Sequence, residues 1–275
     1  MRSRVLLVSL LVAFLLYAPA CRRGPRAVNE VVAVSAAEVP LDPNARAWDR
    51  APEHTARLLL QDLVDPRLMT PSTPEVRVRA LTNGAEVAFR LEWADPEADD
   101  LPALGHFVDA CAVQLPQALA TDPPDPQMGH AGHAVEVTYW RADWQASVDG
   151  RGDTIRDIYP HASVDHYPFQ AAPLEPGSAA QKEMAMRYAP AEALGNRRAG
   201  PRQSPVEDMI AEGPGTLSPA PAAISKGKGV RTRNGWMVVL LRPVPAGLAP
   251  RARTQVAFAV WQGSKGEVGA RKMRT

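Results

Sequence analysis

Two stretches of this 275-residue chain alternate apolar and polar side chains on either side of an Asn-Gly pair, and this pattern constrains the fold most. The first is Glu75–Trp93 (EVRVRALTNGAEVAFRLEW), interrupted at Asn83-Gly84, and the second is Val230–Arg242 (VRTRNGWMVVLLR), interrupted at Asn234-Gly235. A period of two places successive side chains on opposite faces of a β-strand. Asn-Gly is a strong signal for a short hairpin turn. Each stretch is therefore predicted to be a β-hairpin with one buried face.

Composition also favours a β-rich fold. The chain has 27 prolines, about 10% of its residues against a typical ~5%, and helix interiors do not tolerate that density. Val135–Trp140 and Gln255–Gln262 are further strand candidates. Arg57–Gln61 is either a strand or a short helix, and the strand is favoured. Most tryptophans lie in or beside these strands and are expected in the core. The predicted fold is mainly β, an antiparallel β-sandwich with a few short helices.

The middle of the chain differs from both ends. Ala142–Ala223 is long, rich in proline and weakly periodic, and it is predicted to be mostly extended loops. Ser178–Tyr188 (SAAQKEMAMRY) has the composition of a helix, and Ser178 is placed to cap its start. A loop-rich segment of this length within a domain typically acts as a lid or a binding wall. The sequence shows no internal repeat, and one domain is expected.

Several function classes are excluded or disfavoured by charge and motif. With 31 basic and 30 acidic residues the net charge is +1, so the basic surface of a nucleic-acid binder is missing. No GxSxG, HExxH, P-loop or Rossmann motif is present, and Asp99-Asp100 is interpreted as solvated loop charge. No CxxCH occurs, which excludes covalent c-type haem. Two cysteines are too few for a Cys-ligated iron–sulfur cluster or a Cys₄ zinc site.

The first twenty residues have the order of a secretory signal. Two arginines lie within Met1–Arg4, Val5–Tyr17 is almost wholly apolar, and small residues at Ala18-Pro19-Ala20 suit cleavage. We therefore expect a signal peptide at 1–20, an N-terminal segment at 21–39 and one domain at 40–275. The expected location is the periplasm.

Cys21 directly follows the predicted cleavage point. There it is a candidate lipid-bearing residue, which would make the protein a lipoprotein anchored to a membrane. In that case Cys111 has no partner and is expected to be a small buried side chain. In a plain secreted protein, a disulfide between Cys21 and Cys111 is the alternative.

The most unusual cluster is Gln127–His133 (QMGHAGH), which holds a methionine, two histidines and two glycines in seven residues. Three interpretations remain open from the residues alone. The segment is a glycine-rich surface loop, a copper or other metal site formed by Met128, His130 and His133, or a loop that supplies Met128 as an axial haem ligand. Gly263–Lys272 (GSKGEVGARK) by composition is a solvated basic tail.

Six segments of the chain form a recognisable set: VRVRALTNGAEVAFRLEW, FVDACAVQLP, QMG ahead of VEVTYWRADWQ, SPVEDMIAEGPGTL, GKGVRTRNGWMVVLLRPV and VAFAVWQGSKGEVGARK. Taken together they resemble the haem b-binding subunit of the type II dimethyl-sulfoxide-reductase family. That group includes the gamma subunits of ethylbenzene dehydrogenase, dimethylsulfide dehydrogenase, selenate reductase and chlorate reductase. The segments occur in the family's order, and the resemblance spans about Pro40–Lys272.

The resemblance implies a β-sandwich akin to carbohydrate-binding modules that holds one non-covalent haem b between a methionine and a lysine. The methionine matches Met128. The lysine best matches Lys272, with Lys265 as the next choice and Lys226 or Lys228 as more distant ones. The family chain typically continues past that lysine into a short final strand, whereas only three residues follow Lys272 here. We therefore expect Lys272 to lie on a weakly anchored end.

The resemblance further implies an electron-transfer subunit rather than a catalyst, because both axial positions of the iron are filled by protein. Its implied partners are a molybdopterin catalytic subunit, an iron–sulfur subunit, and a soluble cytochrome or similar electron carrier. Two alternatives stay open: a carbohydrate-binding or adhesion module on the same scaffold, with an exposed tryptophan platform, and a periplasmic copper-binding protein that uses Met128, His130 and His133.

Overall fold

Two β-sheets pack face to face in the computed structural model, which describes residues 29–103, 105–152, 155–163, 174–188, 190–194 and 202–275. The predicted signal peptide at 1–20 and the predicted lipid acceptor Cys21 lie outside the described residues. Val31–Thr275 forms one compact unit. Within the described part of the chain, no helix has the length and apolar character needed to cross a bilayer.

The described elements are mostly strands, which confirms the predicted β-sandwich. The strands are β1 (Ala33–Ser35), β2 (His54–Arg57), β3 (Leu59–Leu60), β4 (Glu75–Thr82), β5 (Glu86–Ala94), β6 (Ala110–Pro116), β7 (Val135–Arg141), β8 (Val206–Ala211), β9 (Ser218–Pro219), β10 (Lys226–Arg231), β11 (Gly235–Pro243), β12 (Ala257–Trp261) and β13 (Met273–Arg274). The helices are α1 (Ala142–Val148), α2 (Ile155–Ile158), α3 (Ala179–Tyr188) and α4 (Pro190–Ala193), and 3₁₀ turns lie at Arg46–Arg50 and Gly263–Lys265.

The two sheets are nearly all antiparallel. One has the order β1-β4-β5-β11-β10, with β2 also paired to β4. The other has the order β3-β13-β12-β6-β7-β8-β9. Only the β1–β4 pairing among these ladders is parallel. β1 lies within the segment predicted to precede the domain, yet it extends the six-stranded sheet.

Both predicted hairpins are confirmed, as β4–β5 and β10–β11. In the first turn the side-chain oxygen of Asn83 accepts a hydrogen bond from the Glu86 amide at 2.7 Å, and Gly84 has a φ of 94°. In the second, a Cβ at Gly235 would clash with the carbonyl oxygen of Trp93 on β5. Glycine there lets β11 pair closely with β5, which joins the two hairpins into one sheet.

The main core lies between the sheets and is formed by buried side chains from both of them. Its tryptophans are in edge-to-face contact: the ring centroids of Trp140 and Trp236 are 5.2 Å apart, and those of Trp93 and Trp140 are 6.3 Å apart. Cys111 is a free, fully buried thiol, and burial raises its pKa. The other buried members include Val76, Val78, Leu91, Val113, Leu115, Val238, Leu240, Phe258, Val260 and Met273.

A second apolar cluster covers the outer face of the six-stranded sheet. Leu81 and Val239 on that face pack beneath the N-terminal segment, where Trp48 is fully buried. The Trp48 indole N–H donates to the carbonyl oxygen of Asp42 at 3.0 Å. Because this segment occupies one outer face, the outer face of the seven-stranded sheet is the one left for other groups.

The described residues of the middle segment contain more regular secondary structure than predicted. The helix expected at Ser178–Tyr188 is confirmed, and the Ser178 hydroxyl accepts a hydrogen bond from the Gln181 amide at 3.2 Å. The prediction of extended loops was wrong at β8, whose buried residues are Val206, Met209 and Ala211. Their spacing is not a period of two, so the sequence lacks the usual strand signal.

The expectation of a weakly anchored C-terminal end was also wrong. β13 begins one residue after Lys272 and pairs with both β12 and β3. The Lys272 carbonyl oxygen accepts a hydrogen bond from the Gln61 amide at 3.0 Å, and the Thr275 amide donates to Phe258 at 2.9 Å. Two ordered residues are enough for a final strand because it is inserted between two others.

Candidate functional site

The outer face of the seven-stranded sheet has an unusual floor of small side chains. Strand pairing places Trp261 beside Ala110, and Ala112 between Ala259 on one side and Tyr139 on the other. Methyl groups on neighbouring strands leave this face flat, while the large rings of Trp261 and Tyr139 stand at its side. Small side chains here let a group that packs on this face approach the strands closely, and both alanines of β6 are buried.

Aromatic rings form one wall of this face. The ring of Tyr139 is in edge-to-face contact with Trp261 at 5.1 Å and with Trp144 at 5.6 Å between centroids. The Trp261 indole N–H donates to the Gly269 carbonyl oxygen at 3.0 Å. This hydrogen bond fixes the ring and ties it to the segment that leads to Lys272.

Lys272 extends over that wall. Its amine nitrogen lies 5.1 Å from the centroid of the Trp261 ring. No acidic side chain or hydrogen-bond acceptor is recorded for the amine among the described residues. Burial, with a smaller contribution from the nearby charge of Arg274, lowers the pKa of Lys272 from 10.5 to about 8. A substantial fraction of the amine is therefore neutral near pH 8, and only the neutral form has a lone pair for a metal.

The other lysines considered from the sequence lie elsewhere. Lys265 is exposed in the 3₁₀ turn after β12. Lys226 and Lys228 are exposed on β10, in the six-stranded sheet. Of the four, Lys272 is the one that packs against the small-residue face.

Met128 reaches the same face from the loop between β6 and β7. Its backbone has a φ of 70°, and its carbonyl oxygen accepts a hydrogen bond from the Gly213 amide at 2.8 Å. A Cβ at Gly129 would lie 2.5 Å from the carbonyl oxygen of His133, so glycine is needed for the loop to close. The Met128 side chain packs against a cluster that includes Val135, Met209, Ala211 and Trp261.

Met128 and Lys272 thus share one sheet face. Lys272 contacts it at β12, beside Trp261, and Met128 contacts it near the ends of β7 and β8. The sequence alone did not single out Tyr139 or Trp261. Alternation would have found both, because each neighbours a core residue, Trp140 or Val260, and must point to the opposite face.

The two histidines of the Gln127–His133 cluster, His130 and His133, lie beside Asp122, a partner that the sequence did not predict. The His130 ring also faces Asp125. The set predicted for copper, with Met128 as the third ligand, therefore has an additional carboxylate neighbour.

A buried carboxylate network lies behind the 3₁₀ turn that follows β12. Asp109 accepts hydrogen bonds from the Gly263 amide at 2.9 Å and from the Trp236 indole at 2.9 Å. Asp95 beside it is fully buried, and burial together with the charge of Asp109 raises its pKa to about 7. Asp99 was interpreted as solvated, but its carboxylate accepts a hydrogen bond from the Ser264 amide at 2.8 Å.

A small pocket lies beside the aromatic wall. Its volume is about 80 Å³, and Tyr139, Arg141, Trp261 and Glu267 are among its lining residues. That is less than the volume of a typical small-molecule site, roughly 300 Å³ or more. The pocket has room for a substituent of a larger ligand rather than for the whole of one.

All six tryptophans are buried and lie within the described residues. A carbohydrate-binding module that uses stacking rings needs an exposed tryptophan platform, so this alternative is disfavoured. The fold and the site define a class: a β-sandwich protein whose outer sheet face, rather than a catalytic cleft, carries the candidate ligand groups.

Comparison with known proteins gives the family. The family model described as Ethylbenzene dehydrogenase matches residues 45–273. The chain belongs to the ethylbenzene dehydrogenase family, which confirms the resemblance found in the sequence.

Two relatives have names that state a role. The "Putative respiratory nitrate reductase heme subunit ORF7" of Haloferax mediterranei is 25% identical over 256 residues, 90% of this chain and 71% of that protein. The chlorate reductase subunit gamma of Ideonella dechloratans is 24% identical over 235 residues, 82% of this chain and 72% of that protein.

Proposed function

We propose that this chain binds one non-covalent haem b on the outer face of the seven-stranded sheet, with Met128 and Lys272 as axial ligands. It serves as the gamma-type electron-transfer subunit of an exported molybdenum-enzyme complex. The observation that carries the proposal is the Lys272 amine, half-buried over Trp261 without an anionic partner among the described residues.

The side chains present fit such a group. A thioether and a neutral amine are the two donors, and methionine ligation favours the reduced iron and raises its potential. The alanine side chains on this face let a macrocycle approach the strands closely, with the rings of Trp261 and Tyr139 beside it. The bound haem supplies a one-electron carrier.

Electron transfer rather than catalysis follows from this ligand set and from the relatives. Two protein ligands leave the iron no open position for substrate. The relatives named above are a heme subunit and a gamma subunit of reductases. By analogy, the partners of this chain are a molybdopterin catalytic subunit, an iron–sulfur subunit and a soluble cytochrome or similar carrier.

Export to the periplasm is part of the proposal. It rests on the signal-like order of residues 1–20 and on Cys21 as a lipid acceptor. Mass spectrometry of the chain isolated from membranes and from the soluble periplasmic fraction tests it. A diacylated N-terminal cysteine supports anchoring, and a cytoplasmic chain with an intact leader contradicts export.

The absorption spectrum of the purified chain tests the haem assignment. We expect a Soret band with sharp reduced α and β bands, and a cofactor that acid-acetone extracts because it is not covalently held. Lys272→Ala and Met128→Ala should each abolish the low-spin spectrum. Lys265→Ala and Met186→Ala are the matched controls, since both side chains are exposed. A preparation that stays colourless after reconstitution with hemin refutes the assignment.

A further inference from the structure

The loop between β6 and β7 brings three metal-binding side chains together at the surface. One potential ligand atom from each of Asp122, His130 and His133 lies within 4.8 Å of the other two. The rings of His130 and His133 are tilted by 30° with centroids 4.3 Å apart. Asp122 is exposed and both histidines are half-buried. Two imidazoles and one carboxylate therefore converge on a point that solvent reaches.

The backbone holds the two histidines in this arrangement. His130 and His133 are the ends of a four-residue turn, in which the His133 amide donates to the His130 carbonyl oxygen at 2.8 Å. Gly132 inside the turn has a φ of 81°, which favours glycine. The close approach of Gly129 to His133 fixes the base of the turn. The ligand spacing is thus set by the fold and not by free side-chain rotation alone.

The distances suit a metal of zinc size. The His130 Nε2 and Asp122 Oδ2 atoms are 3.8 Å apart. Zinc–nitrogen and zinc–oxygen bonds of about 2.1 Å at a tetrahedral angle place two such ligands about 3.4 Å apart. A closure of a few tenths of an ångström therefore brings both atoms to bonding distance, which an exposed aspartate achieves easily.

A second carboxylate lies on the other side of the His130 ring. His130 Nδ1 is 3.7 Å from the Asp125 carboxylate, and the Asp125 amide donates to Nδ1 at 3.3 Å. A metal at Nε2 places the ring proton on Nδ1, so the Asp125 amide gives up its hydrogen bond there and the Asp125 carboxylate shifts closer to accept that proton. This carboxylate–histidine–metal arrangement orients the ring and strengthens the ligand.

We propose that Asp122, His130 and His133 bind one divalent transition-metal ion of the zinc type, with water completing the coordination and Asp125 as the positioning residue. Two imidazoles favour zinc, copper(II) or nickel over calcium or magnesium, which prefer oxygen ligands. The site needs no thioether, and Met128 remains on the sheet face. An ion here closes residues 122–133 into a ring and restrains the loop that carries Met128.

Zn²⁺ titration of the purified chain against a chromophoric chelator tests the proposal, with no polyhistidine tag. We expect one Zn²⁺ per chain. His130→Ala and His133→Ala should each weaken binding tenfold or more, and Asp125→Asn about tenfold. His54→Ala is the matched control, because His54 is also half-buried but lies on β2. Met128→Ala should leave zinc affinity unchanged even where it removes the haem spectrum, which separates this site from the haem proposal.

Unchanged zinc binding in both histidine variants, or no binding by the wild type, overturns the assignment. Circular dichroism checks that each variant is folded. If an alanine variant does not fold, Asp122→Asn provides the second test. It replaces one exposed ligand and should still weaken zinc binding. The electron paramagnetic resonance spectrum of the Cu²⁺-substituted chain should show coupling to two imidazole nitrogens, and coupling to none contradicts the ligand set.

Discussion

Asp95 is a residue whose charge conflicts with its place in the fold. It is fully buried next to Asp109, and its pKa rises from 3.8 to about 7. The folded protein therefore holds a proton that the unfolded chain releases near pH 4. The contribution of the Asp95 protonation to the free energy of unfolding is fully present below about pH 4. It is lost as the pH rises to about 7.

Asp95→Asn should remove that loss, because an amide cannot ionise. The variant should gain stability relative to wild type as the pH rises from 5 to 8, by about 2–4 kcal/mol at most, at 1.36 kcal/mol for each pKa unit. Urea denaturation across this range measures the difference. Asp62→Asn, at an exposed aspartate, should follow the wild type. A pH-independent difference for Asp95→Asn would show that Asp95 is ionised in the folded state throughout.

Elements differ in how far the sequence predicts them. The hairpins around Asn83 and Asn234 were predicted because local alternation and turn chemistry agree there. β8 and β13 were not predicted, because β8 lacks the alternation of apolar and polar residues and β13 has only two residues. Both strands form by pairing with strands distant in the sequence. The same limit applies to the site: Met128 and Lys272 came from resemblance, whereas Asp122 beside His130 needed the folded loop.

β13 is the element that positions Lys272, and its anchor is Met273. That side chain is 2% exposed and packs in the core between the sheets. Met273→Ala should destabilise the protein by about 2–4 kcal/mol, as expected for a buried methionine. The low-spin haem signal should weaken in parallel, because Lys272 is the preceding residue. Met186→Ala on α3, where the side chain is 48% exposed, should stay within about 0.5 kcal/mol of wild type.

Met273→Ala is measured by chemical denaturation and by the spectrum of the reconstituted chain. A variant that loses stability but keeps the full low-spin spectrum would show that β13 is not needed to place the amine. A variant that loses neither would show that the final strand contributes little to the fold.

At the scale of the whole molecule, the two outer faces of the sandwich differ. The N-terminal segment with Trp48 covers the six-stranded sheet. The seven-stranded sheet presents alanines, aromatic rings, Met128 and Lys272. The contacts that hold the two sheets together therefore matter for the candidate site, because they fix the position of the face that carries Met128 and Lys272.

A buried ion pair joins the two sheets at one end. Arg242 on β11 is 3% exposed, and its guanidinium contacts the carboxylate and the carbonyl oxygen of Glu136 on β7. Burial lowers the pKa of Arg242 to about 10. The arginine remains charged at neutral pH, so the interior holds a cation that depends on one carboxylate.

Glu136→Gln should cost about 2–3 kcal/mol of unfolding free energy, because it leaves a buried guanidinium without its counter-charge. The value falls below the range for fully buried pairs because the Glu136 side chain is 27% exposed. The double variant Arg242→Met, Glu136→Leu should recover most of the loss, since it removes the cation as well. Urea denaturation of the wild type, Glu136→Leu, Arg242→Met and the double variant completes the cycle, with Glu136→Gln measured beside them. If Glu136→Gln is as stable as wild type, solvent or another group neutralises Arg242, and the pair does not hold the sheets together.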